Sequence, residues 1–333
     1  MDRIKLKQTG LVTRVAANLK SSMKDLQRCG HNRSSKSTFV EMGIQLSGFK
    51  HALSNQQAFD KLVKTAKEAN SKPYVMPEVQ FDVRLHQELK DGMTIYTLND
   101  KADHDQRVIV YLAGGAYLNP ADKTHWNYLN RLADCTDAKI VVPMYPLATT
   151  GNTFRAAYSQ IAQLYVDLYS YTPVSHITIM GDSAGAGLAL GFSEYLGQQG
   201  LPQPGHLILF SPWLDLDLKN PLIAKYVSMD STLAPWGLRE IGKMWAGDVD
   251  HDDYRLSPLN GDLSKLRNIH IYVGTREIMY PDTNTLVQKL RELGIPVKYH
   301  VGRHLFHSYP LYQMPEGYKV MEEVSDVVNE EAR

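Results

Sequence analysis

The chain has 333 residues, 43% of them hydrophobic, which is enough for one large core or for a core with a lid. Its formal net charge is zero, so neither a nucleic-acid partner nor a strongly acidic partner is indicated. Two cysteines and no run of 18 apolar residues argue against a disulfide framework, a cysteine metal site and a transmembrane segment. We therefore expect a cytoplasmic protein.

The first 40 residues are basic, with nine Lys or Arg residues against two Asp residues. We favour a solvated face of helices in a cap as the explanation. An organellar transit peptide and a surface that meets a membrane are the alternatives left open. No apolar segment follows the charged start, which argues against secretion.

From about residue 81 onward, apolar β-rich segments alternate with helical patterns. Strands are predicted at 81–87, 93–98, 108–112, 138–144, 175–180, 207–210, 269–273 and 297–301. The first two strands, separated by a short turn, are expected to pair antiparallel. Helices are predicted at 126–135, in a long segment ending near 171, and at 184–199 and 283–293. This alternation predicts an α/β fold with a mostly parallel eight-stranded sheet and helices on both faces.

Two segments lie outside the alternation. Residues 1–75 have a weak helical pattern, and residues 213–262 contain three of the four tryptophans but no strand pattern. We predict that both form a helical cap, residues 1–75 as an N-terminal segment and residues 213–262 as an insertion into a domain of residues 76–333. Ligands of α/β sheets bind beyond the carboxyl ends of the strands, which is the edge that the cap would cover.

The pentapeptide Gly181-Asp182-Ser183-Ala184-Gly185 follows an apolar strand and precedes a helix of small residues. A serine on such a turn occupies the position of a nucleophile elbow. Gly181 is expected to tolerate the strained backbone, and Gly185 to let the helix approach the strand closely. The serine would face backbone N–H groups and the positive end of the helix dipole, which suits attack on a carbonyl carbon.

A nucleophilic serine needs a base and an acid that orients the base. Glu277 and Asp282 both follow the strand at 269–273, so either could be the acid. We favour Glu277, because Asp282 precedes a helix that it could cap. His304 and His307 follow the last strand, and His307 is the preferred base because it leads into a terminal helix.

Gly114 and Gly115 follow the third predicted strand. Because they lack side chains, their backbone N–H groups could approach a developing oxyanion. Together with the Ala184 N–H they are predicted to form the oxyanion hole, in which each donor lowers the barrier by about 3 kcal/mol.

The three catalytic candidates run in the order Ser183, Glu277, His307, as in the α/β-hydrolase fold. The chain resembles the hormone-sensitive-lipase-like esterases of this fold, and most of all their bacterial carboxylesterase members. The matching segments are 91–93, 112–117, 144–148, 181–185, 211–215, 274–278 and 306–307. The resemblance implies hydrolysis of carboxylic esters without a cofactor or metal, and a helical cap. A lid rich in Trp and Tyr fits small or medium acyl esters as the substrate.

Two residues depart from the family pattern. Ala113 stands where the family has a histidine that organises the glycine loop, so the change concerns the rigidity of the loop and the rate more than the reaction type. Glu277 stands where many relatives have Asp, and either carboxylate can orient an imidazole. Ala113 leaves open a non-catalytic ligand-binding protein, and the triad leaves open an amidase or a peptidase. A homo-oligomer is also left open.

Overall fold

One sheet of eight strands organises the part of the chain that the computed structural model describes, residues 33–151 and 153–330. The strands are β1 (Leu85–Lys90), β2 (Met93–Leu98), β3 (Val108–Leu112), β4 (Lys139–Pro143), β5 (Ile177–Asp182), β6 (His206–Phe210), β7 (Ile269–Gly274) and β8 (Val297–Gly302). Their spatial order is β1-β2-β4-β3-β5-β6-β7-β8. β2 pairs antiparallel with β1 and β4, and the remaining pairs are parallel. The predicted mostly parallel eight-stranded sheet is confirmed.

Two apolar cores, one on each face, bury the centre of the sheet. Successive side chains of a strand point to opposite faces. In β3, Val108 and Val110 accordingly belong to one core, whereas Ile109 and Tyr111 belong to the other. Burial on both faces explains why this strand has a continuous apolar sequence without polar alternation.

The antiparallel pairing of β1 with β2 is confirmed, but β1 begins at Leu85, four residues after the predicted start. The reason is the turn. Asp91 and Gly92 both have positive φ, 50° and 78°, as a two-residue hairpin turn requires. This turn places Lys90 opposite Met93 and so determines the register of the whole pair.

Helices flank the sheet. They are α1 (Ser35–Ser47), α2 (Phe49–Ala52), α3 (Gln56–Asn70), α4 (Lys123–Thr136), α5 (Phe154–Tyr169), α6 (Ser183–Gln198), α7 (Pro235–Ala246), α8 (Tyr280–Glu292) and α9 (Pro315–Asn329). α4 and α8 begin earlier than predicted, because Asp122 caps α4 and Pro281 occupies the first turn of α8, where no N–H donor is needed. In the described ranges, no helix is long and apolar enough to span a membrane.

The two predicted cap segments contact each other. The Gly237 N–H of α7 donates to the Leu53 carbonyl at 2.9 Å, and the rings of Phe59 and Trp236 meet edge to face at 5.2 Å. The N-terminal end of α1 instead contacts α9, where the Ser34 hydroxyl donates to the Glu316 carboxylate. The division into a cap and a domain of residues 76–333 stays a prediction. Residues 1–32, which hold most of the basic start, lie outside the described residues.

Candidate active site

Ser183 lies at the turn from β5 to α6 with a φ of 52°. A non-glycine residue at positive φ is strained, and this strained strand-to-helix turn is characteristic of a nucleophile elbow. The strain therefore lies at Ser183 itself, where we had expected it at Gly181. A Cβ atom on Gly185 would lie 2.0 Å from the Leu112 carbonyl oxygen, so α6 can pack this close to β3 only with glycine at that position.

Two short hydrogen bonds connect Ser183, His307 and Glu277. His307 Nε2 lies 2.8 Å from Ser183 Oγ, and His307 Nδ1 lies 2.5 Å from Glu277 Oε2. All three side chains are buried. The carboxyl ends of β7 and β8 are paired, with Gly274 opposite Gly302, so the loops that carry Glu277 and His307 leave the same edge of the sheet. The structure brings together the serine, the acid and the base that we favoured from the sequence.

The Glu277 carboxylate is fixed in place by hydrogen bonds to its second oxygen. Oε1 accepts from the Ser211 hydroxyl and from the Gly274 N–H, both at 2.7 Å. Ser211 Oγ in turn accepts from the Ser308 N–H at 3.0 Å, one residue after His307. Ser211 was missed as a site residue, although it begins one of the segments that carry the family resemblance. With both oxygens bonded, the carboxylate cannot turn away from the imidazole.

The alternative acid and base lie apart from these hydrogen bonds. Asp282 is in the first turn of α8, where burial raises the pKa of its carboxyl to about 6. The His304 N–H donates to Thr275 Oγ1 at 2.8 Å. Among the described residues, no hydrogen bond joins either side chain to His307. Over the same residues, no three His, Cys, Asp or Glu side chains are grouped so as to hold a metal ion.

The His307 imidazole lies among carboxylates. Burial disfavours its charged form, but the Glu277 carboxylate outweighs burial and raises the pKa of His307 above its ordinary value, with smaller contributions from Asp230 and Asp182. Asp230 is buried, and its Oδ2 accepts the N–H of Ile278 at 2.8 Å, directly after the acid. These charges favour the imidazolium that forms when the histidine takes a proton from the serine.

The backbone N–H groups of the loop after β3 differ in whether they already have a hydrogen-bond partner. The Gly114 N–H donates to Asp182 Oδ1 at 2.8 Å, so it is already occupied and does not fit the role predicted for it. Within the described part of the chain, the N–H groups of Gly115 and of the next residue, Ala116, have no hydrogen-bond partner. The Ala184 N–H lies in the first turn of α6, where helical N–H groups lack internal partners. Ala116 was not predicted as an oxyanion-hole donor, because the contacts of the loop, and not the type of residue, determine which backbone N–H lacks a partner.

Ala113, which replaces the family histidine, lies in a loop held by hydrogen bonds. Its carbonyl accepts from the Tyr145 hydroxyl at 2.5 Å. Two residues later, the Gly115 carbonyl accepts from the N–H groups of Leu118 and Asn119, each at 3.0 Å. The loop is thus held by a neighbouring tyrosine and by its own turn, without an imidazole at position 113.

Known proteins resemble the chain over most of its length. A family model described as alpha/beta hydrolase fold matches residues 109–311. An acetyl-hydrolase of Streptomyces hygroscopicus is 28% identical over 223 residues, which are 66% of this chain and 75% of that protein. The crystal structure of a Staphylococcus aureus protein provisionally described as an esterase is 26% identical, with a TM-score of 0.80 over 84% of this chain and 95% of that one.

An esterase from the bacterial hormone-sensitive lipase family shares the fold at 21% identity, with a TM-score of 0.72 over 84% of this chain and 99% of that one. These matches confirm the resemblance that the motifs indicated. The family model covers more than half of the chain, and its match includes Ser183, Glu277 and His307. The chain belongs to the alpha/beta hydrolase fold family.

Proposed function

We propose that the chain is a serine carboxylic ester hydrolase that acts on small to medium acyl esters through an acyl-enzyme intermediate. The observation that carries this proposal is the continuous hydrogen-bonded path from Ser183 Oγ through His307 to Glu277. A strained, buried serine on an elbow, bonded to an imidazole that is itself bonded to a carboxylate, is an arrangement suited to nucleophilic attack on an acyl carbon.

In the first step, His307 Nε2 takes the proton of Ser183 as the hydroxyl oxygen attacks the ester carbonyl carbon. Glu277 holds the proton on Nδ1, so that Nε2 is free to accept, and it stabilises the imidazolium. His307 then gives its proton to the leaving alcohol, which leaves an acyl group on Ser183. Water then attacks this acyl group as the same imidazole takes its proton, and His307 returns that proton to Ser183 Oγ as the bond to the acyl carbon breaks and the acid is released.

The carbonyl oxygen becomes negatively charged in both tetrahedral intermediates. We assign its stabilisation to the N–H groups of Gly115, Ala116 and Ala184, since the Gly114 N–H is occupied by Asp182. Donors fixed in this way typically contribute about 3 kcal/mol each to lowering the barrier. The dipole of α6 adds positive potential at the same place.

The matched relatives support esters over amides as the substrates of this chain. The matched Streptomyces protein is an acetyl-hydrolase, which supports a short acyl group for this chain as well. The triad chemistry by itself would serve an amidase or a peptidase equally well. A non-catalytic binding role was suggested by Ala113 alone, and the hydrogen bond from Tyr145 to the Ala113 carbonyl supports a loop that is formed without the histidine.

The proposal is tested by labelling and turnover together. The protein is treated with a fluorophosphonate probe, the modified peptide is identified by mass spectrometry, and hydrolysis of p-nitrophenyl acetate, butyrate and octanoate is measured beside p-nitroacetanilide. We expect the label on Ser183, faster hydrolysis of the acetate and butyrate than of the anilide, and loss of at least 10³-fold activity in Ser183→Ala. A folded protein that neither labels nor hydrolyses any ester contradicts the proposal, and faster anilide hydrolysis would indicate an amidase.

A further inference from the structure

Asp182 is a buried carboxylate placed directly before the nucleophile. It occupies the N-cap position of α6, yet its side chain makes no capping hydrogen bond. Oδ1 instead accepts from the Tyr111 hydroxyl and the Gly114 N–H, both at 2.8 Å. A Cβ atom on Gly114 would lie 2.3 Å from Asp182 Oδ2, so the loop approaches the carboxylate as closely as glycine permits. Asp182 therefore connects the elbow to the loop whose next two N–H groups have no partner among residues 33–151 and 153–330.

A negative charge at this place has an electrostatic cost. A buried carboxylate without a counter-charge is strongly destabilising. Asp182 directly precedes the serine and contacts the loop, so an uncompensated charge there would repel an oxyanion forming at Ser183. Two neutral hydrogen-bond donors reduce this repulsion only partly. The site needs a cation.

His125 is placed to supply this charge. It lies in the first turn of α4, and its Nε2 is 3.3 Å from Asp182 Oδ1, an ion-pair contact without hydrogen-bond geometry, with both side chains almost fully buried. Its other nitrogen, Nδ1, is 2.8 Å from Asp122 Oδ1 at the N-cap of α4 and 3.0 Å from the Asp122 backbone nitrogen; in an imidazolium, Nδ1 donates to the carboxylate and does not accept the backbone N–H. The Tyr111 ring packs on the imidazole edge at a centroid distance of 6.5 Å. Burial lowers the pKa of His125, but Asp182 and Asp122 outweigh it and raise the pKa to about 10.

We propose that His125 is a positioning residue for the reaction at Ser183: its imidazolium neutralises Asp182 and holds that carboxylate against Gly114, which keeps the N–H groups of Gly115 and Ala116 available for the oxyanion. This inference rests on the proposed function. It predicts that His125 acts on the transition state and not on the binding of the ester, because its contacts lead to the loop.

The test compares His125→Gln, Asp182→Asn and the double variant, each checked for a cooperative thermal transition. In His125→Gln we expect kcat for p-nitrophenyl acetate to fall about 10- to 100-fold with KM changed less than about threefold. Inhibition by a trifluoromethyl ketone, whose serine adduct carries an oxyanion, should weaken by the same factor as kcat/KM. His270→Gln, which alters a buried histidine of β7 packed on His206, is the matched control and should change kcat/KM less than threefold.

The double variant separates a charge effect from a structural one. Adding Asp182→Asn to His125→Gln removes the unpaired carboxylate, while the asparagine oxygen still accepts from the Gly114 N–H. We expect the double variant to be at least fivefold more active than His125→Gln, since coupled residues are non-additive. The inference is overturned if the activity losses of the two single variants simply multiply in the double variant. It is also overturned if the His125→Gln enzyme stays within threefold of the parent in kcat and inhibitor affinity.

A second variant covers the case in which His125→Gln does not fold. The Asp122 side chain is 65% exposed, so Asp122→Asn removes the negative charge beside His125 at little structural cost, because the amide oxygen can still cap α4. Because the Asp122 carboxylate is one of the charges that raise the pKa of His125, the kcat of this variant should decline on the alkaline side at a lower pH than in the parent, and an unchanged alkaline limb overturns the inference. If Ser183→Ala keeps its activity, the proposed function itself fails; if Ser183→Ala is inactive while all His125 tests are negative, only this inference fails.

Discussion

Replacing Glu277 by Gln is the sharpest test of the acid. Glu277 Oε1 accepts the Gly274 N–H, which cannot turn into an acceptor, so the amide oxygen of a glutamine must take the Oε1 position. The amide NH₂ group then faces His307 Nδ1, which has to accept a hydrogen bond. The imidazole proton consequently moves to Nε2, where it points at Ser183 Oγ. The variant keeps the shape of the site but holds the wrong tautomer of the base.

The size of the effect follows from the lost charge. At the 2.5 Å separation of His307 Nδ1 and Glu277 Oε2, unit charges attract by about 7 kcal/mol with an effective dielectric constant of about 20. Both charges are delocalised over more than one atom, so we expect a net loss of about 4 to 5.5 kcal/mol from the transition state. This corresponds to a decrease in kcat/KM of about 10³- to 10⁴-fold.

The assay is the initial rate of p-nitrophenyl acetate hydrolysis at several ester concentrations between pH 6 and 9. Asp282→Asn is the matched control, because it removes a buried carboxylate from the same segment of chain without touching His307. We expect it to stay within about threefold of the parent in kcat/KM. A Glu277→Gln enzyme that keeps more than a tenth of its activity, or an Asp282→Asn enzyme that loses more than 100-fold, refutes the reasoning.

Three further outcomes follow from the structure. Glu41→Gln should lower the free energy of unfolding by about 3 kcal/mol, because Glu41 pairs at 2.5 Å with Arg33 in a buried ion pair; an unchanged urea midpoint contradicts this. Gly185→Ala should cost more than about 3 kcal/mol, because its Cβ atom would lie 2.0 Å from the Leu112 carbonyl oxygen; a thermal midpoint equal to that of the parent is the contrary result. Catalysis needs His307 in its neutral form, and its carboxylate neighbours raise its pKa above the ordinary value of about 6.5. We therefore expect kcat/KM to fall as the pH drops through a value above about 6.5. A fall that begins only below about pH 6 argues against the charge environment described.

Much of the architecture could be read from local patterns. β2 and β3 have the bounds that the sequence predicts, because a run of apolar β-rich residues between turn residues is a local signal. The predicted bounds of β1 were four residues too early at its start and three too early at its end, because its register depends on the backbone conformation of Asp91 and Gly92 and not on its own side chains. The order of the strands along the chain was also sufficient to place Ser183 at the turn after a strand. It limited the acid to Glu277 or Asp282 and the base to His304 or His307.

The sequence by itself determined the class of fold, the position of the nucleophile and the kind of residues that could assist it, since these depend on patterns within a few residues of each other. Only the tertiary structure decided which candidates meet. It brought Glu277 to His307, occupied the Gly114 N–H with Asp182, and placed His125 beside Asp182, a contact that no motif had indicated. Contacts between loops and helices far apart in the chain depend on how the elements pack, and a hydrogen-bond donor or a charge acquires its role only from the partner that packing places beside it.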